Sequence, residues 1–298
     1  MPVFRQGAVL GHPIGHSKSP ALHNAAYAVL GLDYSYTAID VQVHQFPAFL
    51  DQVRSDGSWY GLSVTMPLKN AAAQLADGLT DVAAALGSVN TLVASRTDDG
   101  GTRFLGDNTD VAGIVNALRQ AGVAPRPRAA VLGGGGTAVS AVAAMARLGA
   151  PEVDIFVRDT GRSSAALAVA ARLGVPARLV PYRGAAQALA GYGVVVSTLP
   201  PQAADPLAQE LPASLGKMSG ACLLDVAYDP WPSALAAAWE RAGGTVVPGI
   251  EMLLYQGVEQ ALMFAAAGGH GDAAAGRTGE LINVMCDALG LEHRTQHK

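Results

Sequence analysis

The chain has 298 residues and a formal net charge of -4, and half of its residues are hydrophobic. This length is sufficient for two domains of ordinary size, and the absence of a large basic cluster excludes nucleic acid as an expected partner. The two cysteines, Cys222 and Cys286, are far apart, which argues against a disulfide framework or a zinc site and favours a reducing compartment. Because no basic segment leads into a long apolar run, and the uncharged stretch 129–146 is rich in Ala and Gly, we expect a cytoplasmic protein with no membrane partner.

The first third of the chain alternates between strand-like and helix-like runs. Ser19 is the predicted N-cap of the first helix, with Pro20 at its first position. Predicted strands lie at 8–10, 34–41 and 59–66, and a hairpin at 90–94 and 102–105 turns at 98–101. Predicted helices lie at 20–30, 46–54, 69–76, 81–86 and 111–120.

A junction rich in Gly and Pro at 121–127 precedes a regular alternation of strands and helices. This alternation predicts a parallel sheet covered by helices on both faces. The predicted strands are 129–132, 153–157, 177–180, 194–198, 223–226 and 245–247, and the helical end comprises 252–267 and 279–289.

The dinucleotide signature is the segment Val131-Leu-Gly133-Gly-Gly135-Gly-Thr-Ala138, which follows a strand and opens a helix. Its first glycine permits a tight turn, its second allows close approach of a pyrophosphate, and Ala138 keeps the helix near the sheet. The helix N-terminus favours phosphate. We therefore predict that Gly133, Gly134, Gly135, Gly136, Thr137 and Ala138 bind a dinucleotide.

The next strand carries the residues that distinguish NADP from NAD. An acidic residue at its end holds a ribose 2′-hydroxyl, whereas an arginine there holds a 2′-phosphate. Arg158 and Arg162 are candidates for phosphate binding, while Asp159 would repel a phosphate or bind a hydroxyl. The pair of arginines favours NADP, with NAD as the alternative.

Polar loops in the first third suit a small, polyhydroxylated substrate. They contain two serines, a threonine, a lysine, an asparagine and an aspartate, each in a loop that follows a predicted strand. Lys69 is a candidate acid–base group, and Asp110, at the start of a helix, could orient it. A polyol site followed by a dinucleotide site suggests hydride transfer at a sugar-like carbon.

Four motifs together carry a family resemblance: H-S-K-S-P at 16–20, S-V-T-M-P-L-K at 63–69, S-V-N-T at 88–91 and G-D-N-T-D at 106–110. In this order, and with G-I-E-M-L-L-Y-Q at 249–256, they resemble the shikimate dehydrogenase family over nearly the whole chain. The resemblance implies an α/β fold with a substrate-binding catalytic domain at 1–109, a Rossmann domain at 110–248, and C-terminal helices at 249–298 that pack on the substrate domain. It also implies NADP-dependent reduction of 3-dehydroshikimate to shikimate, in the biosynthesis of chorismate and the aromatic amino acids.

The resemblance implies a role for each matching residue. Lys69 and Asp110 would be the catalytic pair, and Tyr228 would line the substrate carboxylate or the nicotinamide. The substrate carboxylate would contact Ser17 and Ser19, and the ring hydroxyls would contact Thr65, Asn90, Asp110 and Gln256. Gly249 and Met252 would approach the nicotinamide of the cofactor, and the glycine-rich loop and Arg158 would bind the remainder of the cofactor. We expect no metal, because the histidines show no set of metal-ligand partners.

Three departures from the family pattern leave alternatives open. Ser63 and His12 stand where the family usually has Asn, and Val157-Arg158-Asp159 stands where Asn-Arg-Thr is usual. The last departure weakens the NADP assignment more than the function. The competing hypotheses are a quinate or aminoshikimate dehydrogenase, which could use NAD, and a non-catalytic NADP-binding regulator. We expect the protein to be a monomer or a homodimer.

Overall fold

The computed structural model describes residues 5–98, 100–162, 164–211 and 220–294. The chain divides into two units. One contains the residues up to Thr109 together with those from Leu254 onward, and the other is Asp110–Leu253.

The first unit is built on a mixed six-stranded sheet. Its strands are β1 (Gln6–Gly11), β2 (Ser35–Asp40), β3 (Trp59–Val64), β4 (Gly78–Leu79), β5 (Thr91–Arg96) and β6 (Thr102–Asp107). In the order β2-β1-β3-β5-β6-β4, β1 pairs in parallel with β2 and β3, whereas β5 runs antiparallel to both β3 and β6. The predicted hairpin is therefore confirmed, and its turn includes residue 99, which lies outside the described residues.

Four helices follow in this part of the chain: α1 (Ser19–Leu30), α2 (Phe46–Ser55), α3 (Lys69–Leu75) and α4 (Asp81–Leu86). Pro20 lies in the first turn of α1, and Gly31 ends the helix in the left-handed conformation at φ 67°. The Thr80 hydroxyl accepts the N–H of Ala83 at 3.3 Å and so caps α4. Pro20, Gly31 and Thr80 therefore mark the ends of these helices in the way that proline, glycine and threonine usually do.

The second unit contains a fully parallel sheet of six strands. They are β7 (Ala129–Leu132), β8 (Val153–Val157), β9 (Ala177–Pro181), β10 (Val194–Ser197), β11 (Cys222–Asp225) and β12 (Thr245–Pro248). The order β12-β11-β10-β7-β8-β9 is the doubly wound arrangement of dinucleotide-binding folds. β7, β8, β10 and β11 are buried along their whole length, as expected for strands covered on both faces.

The helices of this unit fill the connections between strands. They are α5 (Asp110–Gln120), α6 (Gly136–Arg147), α7 (Ser164–Arg172), α8 (Ala185–Ala188), α9 (Asp205–Glu210) and α10 (Ala234–Arg241), with short 3-10 helices at Thr160–Arg162 and Leu189–Gly191. On one side of the sheet, the fully buried Trp239 packs in a cluster with Phe156, Leu223 and Leu235. The predicted α/β class and parallel sheet are confirmed.

Three helices complete the chain: α11 (Gly249–Ala267), α12 (Gly271–Ala275) and α13 (Thr278–Leu289). The change of unit falls between Leu253 and Leu254, inside α11, and α13 packs against α1. Among the described residues, no helix is long and apolar enough to cross a membrane.

Candidate active site

Two polar loops of the first unit meet where β1 and β3 end. The backbone N–H of His12 donates to the carbonyl of Met66 at 3.1 Å, and the N–H of Thr65 donates to Leu10 at 2.8 Å. Because β1 and β3 are parallel neighbours, their carboxyl ends lie at the same edge of the sheet. The sheet itself therefore brings the loop of Ser17 beside the loop of Thr65.

A third loop, residues 87–90, is held against the same edge. The N–H of Val89 donates to the carbonyl of Lys69 at 3.0 Å, and the N–H of Val64 donates to the carbonyl of Asn90 at 2.7 Å. These two bonds place the backbone of Asn90 next to the loop that carries Thr65 and Lys69. The motifs 63–69 and 88–91, which are separate in sequence, therefore lie side by side at this edge of the sheet.

The serine loop begins α1 one residue earlier than the sequence predicts. Ser19 is the first residue of the helix, and Lys18 occupies the N-cap without a side-chain cap. The predicted N-cap role of Ser19 is therefore wrong. The Oγ of Ser17 instead accepts the N–H of Ser19 at 3.3 Å, so a hydroxyl two residues upstream takes one of the free donors of the first turn. Ser19 is buried and Ser17 is half-buried.

Lys69 and Asp110 each occupy the first residue of a helix. Lys69 begins α3 and is half-buried, whereas Asp110 begins α5 and is buried. The positive end of a helix dipole favours a carboxylate such as Asp110 and disfavours an ammonium such as Lys69. Lys69 therefore occupies a position that electrostatics alone would give to another residue type, which is consistent with a chemical role. The two residues belong to different units.

Asn90 lies in a buried cluster with Thr109 and Gln256. Its Oδ1 accepts the N–H of Thr109 at 2.8 Å and the hydroxyl of Thr91 at 2.7 Å. Its Nδ2 donates to the Thr109 hydroxyl at 3.0 Å and to Gln256 Oε1 at 3.4 Å. The sequence-predicted residues Asn90 and Gln256 are thus brought into contact. The longest of these bonds, to Gln256, is the one most easily exchanged for a ligand hydroxyl.

A buried network behind this cluster was not anticipated from the sequence. Gln260 Nε2 donates to the Asn90 carbonyl at 3.2 Å and to the Thr91 hydroxyl at 2.9 Å. Gln260 Oε1 accepts the hydroxyl of Ser63 at 2.9 Å and faces His23 Nε2 at 3.4 Å. Gln260 lies one helical turn after Gln256, and that spacing was the available sequence signal.

The network fixes the protonation of His23. A carbonyl oxygen only accepts, so Gln260 must turn its Nε2 toward Asn90 and its Oε1 toward His23. His23 Nε2 therefore carries the proton, and Nδ1 accepts from the Tyr27 hydroxyl at 3.1 Å. Burial lowers the pKa of His23 to about 3, against a smaller raising effect of the Gln260 hydrogen bond. The ring stacks on Tyr36 with centroids 4.0 Å apart, and His23 is neutral at pH 7.

In the second unit, the predicted glycine-rich loop lies at the carboxyl end of β7. Gly133 has φ 110°, and a Cβ there would approach Thr198 Oγ1 to 2.7 Å, so only glycine fits. A Cβ at Gly135 or Gly136 would meet nothing within 4 Å, so protein packing does not require those glycines. α6 begins here with no side-chain cap on Gly135. Open space in front of a helix N-terminus fits a pyrophosphate.

The loop after β8 carries the residues predicted to choose between NADP and NAD. Arg158 is exposed, and the carboxylate of Asp159 accepts the N–H of Gly161 at 2.9 Å. Asp159 therefore shapes the turn that follows the strand, which gives this acidic residue a structural use independent of a ribose. The side chain of Arg162 lies outside the described part of the structure.

The remaining predicted residues also belong to the second unit, apart from Gln256. Tyr228 follows β11 and is half-buried, and burial, with a smaller contribution from the Asp229 charge, raises its pKa. A Cβ on Gly249 would overlap the backbone of Val226, so close packing at the start of α11 already requires this glycine. Met252 is buried on the first turns of the same helix.

Both cysteines are free and buried. Burial raises the pKa of Cys222 to about 11, which keeps its thiol protonated at pH 7. Among the described residues, no three His, Cys, Asp or Glu side chains gather as they would around a metal ion.

Comparisons with known proteins show which family this chain resembles. Residues 9–92 match the family model for the shikimate dehydrogenase substrate binding domain. Shikimate dehydrogenase (NADP(+)) of Rubrobacter xylanophilus is 40% identical over 255 residues, covering 84% of this chain and 87% of that protein. The crystal structure of Mycobacterium tuberculosis shikimate dehydrogenase has 40% identity and a TM-score of 0.77, covering 88% of this chain and 95% of that one. The crystal structure of Thermus thermophilus shikimate 5-dehydrogenase, in complex with NADP(H) and shikimate, has 29% identity and a TM-score of 0.74. The match covers 92% of this chain and 100% of that one.

Proposed function

This chain belongs to the shikimate dehydrogenase family, and we propose that it catalyses the reversible, NADP-dependent reduction of 3-dehydroshikimate to shikimate. The observation that carries the proposal is the 3.0 Å bond from the Val89 N–H to the Lys69 carbonyl, which holds the asparagine loop beside a half-buried lysine. A polyol-binding surface next to an acid–base group is what this reaction requires. The pathway that would use the product is the biosynthesis of chorismate and the aromatic amino acids.

The substrate carboxylate would bind at Ser17 and Ser19. The helix dipole at the start of α1 favours an anion there, and the two hydroxyls add donors. The ring hydroxyls would contact Thr65, Asn90 and Gln256, with Tyr228 beside the carboxylate or the nicotinamide. Because Asn90 is held by Thr109 and Thr91, its amide is fixed before the substrate arrives, which lowers the entropy cost of binding.

Lys69 and Asp110 would perform the proton chemistry. In the direction of reduction, the Lys69 ammonium gives a proton to the substrate oxygen as the carbonyl becomes an alcohol. In the reverse direction, neutral Lys69 takes the hydroxyl proton. The Asp110 carboxylate, stabilised by the start of α5, would orient both the lysine and the substrate hydroxyl.

NADPH, when bound, supplies the hydride that reaches the substrate carbon. The N–H groups at Gly133–Ala138 would hold its pyrophosphate, and the open space at Gly135 and Gly136 gives that group room. Gly249 and Met252 would lie by the nicotinamide, and Arg158 and Arg162 by the 2′-phosphate. With Asp159 engaged in its own turn, NADP is the proposed cofactor and NAD the lesser one.

Location and assembly are also proposals. Two buried, free cysteines fit a reducing compartment, which supports a cytoplasmic location. We propose a monomer or homodimer that acts on small molecules only.

The decisive experiment compares substrates and cofactors in one assay of cofactor reduction. Purified protein is given shikimate with NADP, then shikimate with NAD, and then quinate with each. Faster turnover with shikimate and NADP than with the other pairs is the expected result. Turnover of quinate equal to or better than that of shikimate would replace the proposal by a quinate-specific paralogue, and cofactor binding without any turnover would replace it by a non-catalytic regulator.

A further inference from the structure

A cavity of about 350 Å³ lies at the carboxyl ends of β8 and β9 in the second unit, a size within the range of small-molecule sites. It is lined by Arg158, Pro181, Tyr182, Arg183, Leu207 and Glu210, among others. Apolar side chains form part of its wall, and two guanidinium groups and one carboxylate face it. Such a lining suits a ligand that is part flat ring and part anion.

Strand pairing explains why two arginines meet here. β8 and β9 are parallel neighbours in which Val157 pairs with Pro181, and the Tyr182 N–H donates to the Val157 carbonyl at 2.9 Å. One residue further on, this register puts Arg158 beside Tyr182. Arg183 follows directly, before Gly184 turns the chain with φ 85°. The sheet therefore delivers Arg158 and Arg183 to one place from positions far apart in sequence.

The hydroxyl of Tyr182 is the second observation at this cavity. Its oxygen is buried and has no hydrogen-bond partner among the described residues. Burial raises the pKa of Tyr182, with a smaller lowering effect from the Arg158 charge and a smaller raising effect from Glu210. A buried donor without a partner, on a residue that lines this cavity, indicates a missing acceptor.

The charges identify that acceptor as an anion. The described lining of this cavity contains two arginines, Arg158 and Arg183, and one carboxylate, Glu210, so its positive charges exceed its negative ones by one. A phosphate monoester carries about -1.5 to -2 at pH 7 and presents three acceptor oxygens. In a doubly wound sheet, the end of the second strand, here β8, is where the ribose of the adenosine half lies.

We propose that Arg183 and the Tyr182 hydroxyl join Arg158 in binding a phosphate on the adenosine ribose, and that Arg183 helps to select NADP over NAD. The inference rests on the proposed function for the identity of the nucleotide. It assigns a phosphate contact to the loop that follows β9, in addition to the loop that follows β8. It also explains how a chain with Asp159 in that loop retains a site for phosphate.

The test uses two fragments of the cofactor, adenosine 2′,5′-bisphosphate and adenosine 5′-monophosphate, titrated calorimetrically into the full-length protein. Arg183→Ala should raise the Kd of the bisphosphate at least about tenfold, as expected for a lost charge-assisted hydrogen bond, and change that of the monophosphate less than about twofold. Arg158→Ala and Tyr182→Phe should show the same selectivity. Arg183→Lys should lose less than Arg183→Ala, because it keeps the charge but not the planar fork.

Arg147→Ala is the matched control. Arg147 is the last residue of α6 and is exposed. The variant therefore removes one positive charge, as Arg183→Ala does, but away from the cavity, and both Kd values should be unchanged. If Arg183→Ala weakened the binding of both fragments equally, or weakened the binding of neither, the role of Arg183 would be overturned. An unchanged bisphosphate Kd in Tyr182→Phe would overturn the role of the hydroxyl.

The fragment titration separates this inference from the proposed function. Wild-type protein that prefers the bisphosphate but fails to turn over shikimate would retain the phosphate site and lose the proposed reaction. Normal turnover of shikimate, together with unchanged fragment binding in Arg183→Ala, would retain the proposed reaction and overturn the role of Arg183 in phosphate binding.

Discussion

Removing the amide of Gln260 should destabilise the first unit strongly. Gln260 is buried and forms three hydrogen bonds of 3.2 Å or less, to the Asn90 carbonyl, the Thr91 hydroxyl and the Ser63 hydroxyl. A net contribution of about 0.5–1.5 kcal/mol for each bond gives about 1.5–4.5 kcal/mol. The partners left unpaired in the interior shift the expected loss in Gln260→Ala toward about 3–5 kcal/mol.

Two further variants separate hydrogen bonding from volume. Gln260→Leu keeps most of the side-chain volume, so a similar loss would assign the effect to the unpaired polar groups rather than to a cavity. Gln74→Ala is the matched control, because Gln74 is an exposed glutamine on α3 of the same unit and should change stability by less than about 0.5 kcal/mol.

The measurement is urea unfolding followed by far-UV circular dichroism and by tryptophan fluorescence, since two units can unfold in two transitions. The affected transition should be that of the first unit, and the KM for shikimate should rise because Asn90 loses its support. A loss in Gln260→Ala no larger than that in Gln74→Ala would refute the argument that this network supports the site.

Three other outcomes follow from the same structure. Lys69→Ala should reduce kcat by at least about 100-fold, with a smaller change in substrate binding. Near-normal single-turnover rates in Lys69→Arg would instead indicate that Lys69 acts only through its charge. Ser17→Ala combined with Ser19→Ala should raise the shikimate KM by a factor corresponding to at most about 3–6 kcal/mol and leave the NADP KM nearly unchanged, and parallel changes in both constants would contradict carboxylate binding at this loop. Because the pKa of His23 falls from 6.5 to about 3 on folding, the unfolded state binds a proton that the folded state refuses, so stability should decrease as the pH is lowered through that window, by about 1.4 kcal/mol per pH unit. Urea titrations between about pH 6 and pH 4 should show a flatter dependence in His23→Phe, and an unchanged slope would remove His23 as the cause.

The sequence predicted the strands of the second unit to within one residue at each end. Its strands are short, mostly apolar runs, because a parallel sheet is covered on both faces, and β7 and β8 match the predicted bounds. The loops of the first unit were also predicted to follow strands. Their contacts were not, because a sequence without strand register gives no information on which loop ends lie together.

The misses have physical causes. The Ser19 cap was wrong because Lys18 already adopts helical angles and the Ser17 hydroxyl replaces a cap. Gln260 was missed because its partners are about 170–200 residues away in sequence, at Asn90 and Ser63. Arg183 was missed because only the pairing of β8 with β9 places it near Arg158.

The insertion of one unit within the other has a consequence for synthesis of the chain. Residues from Leu254 onward supply Gln256, Gln260 and α13, which pack on elements made before Thr109. The ribosome must first make Asp110–Leu253, which at about 5–20 residues per second takes roughly 7–30 s. During that interval the parallel-sheet unit can fold, while the apolar surface of the first unit stays uncovered until its last helices have been made. We therefore expect nascent chains of this protein to expose that apolar surface, and the contacts of Asn90 with Gln256 and Gln260 to form only once α11 is complete.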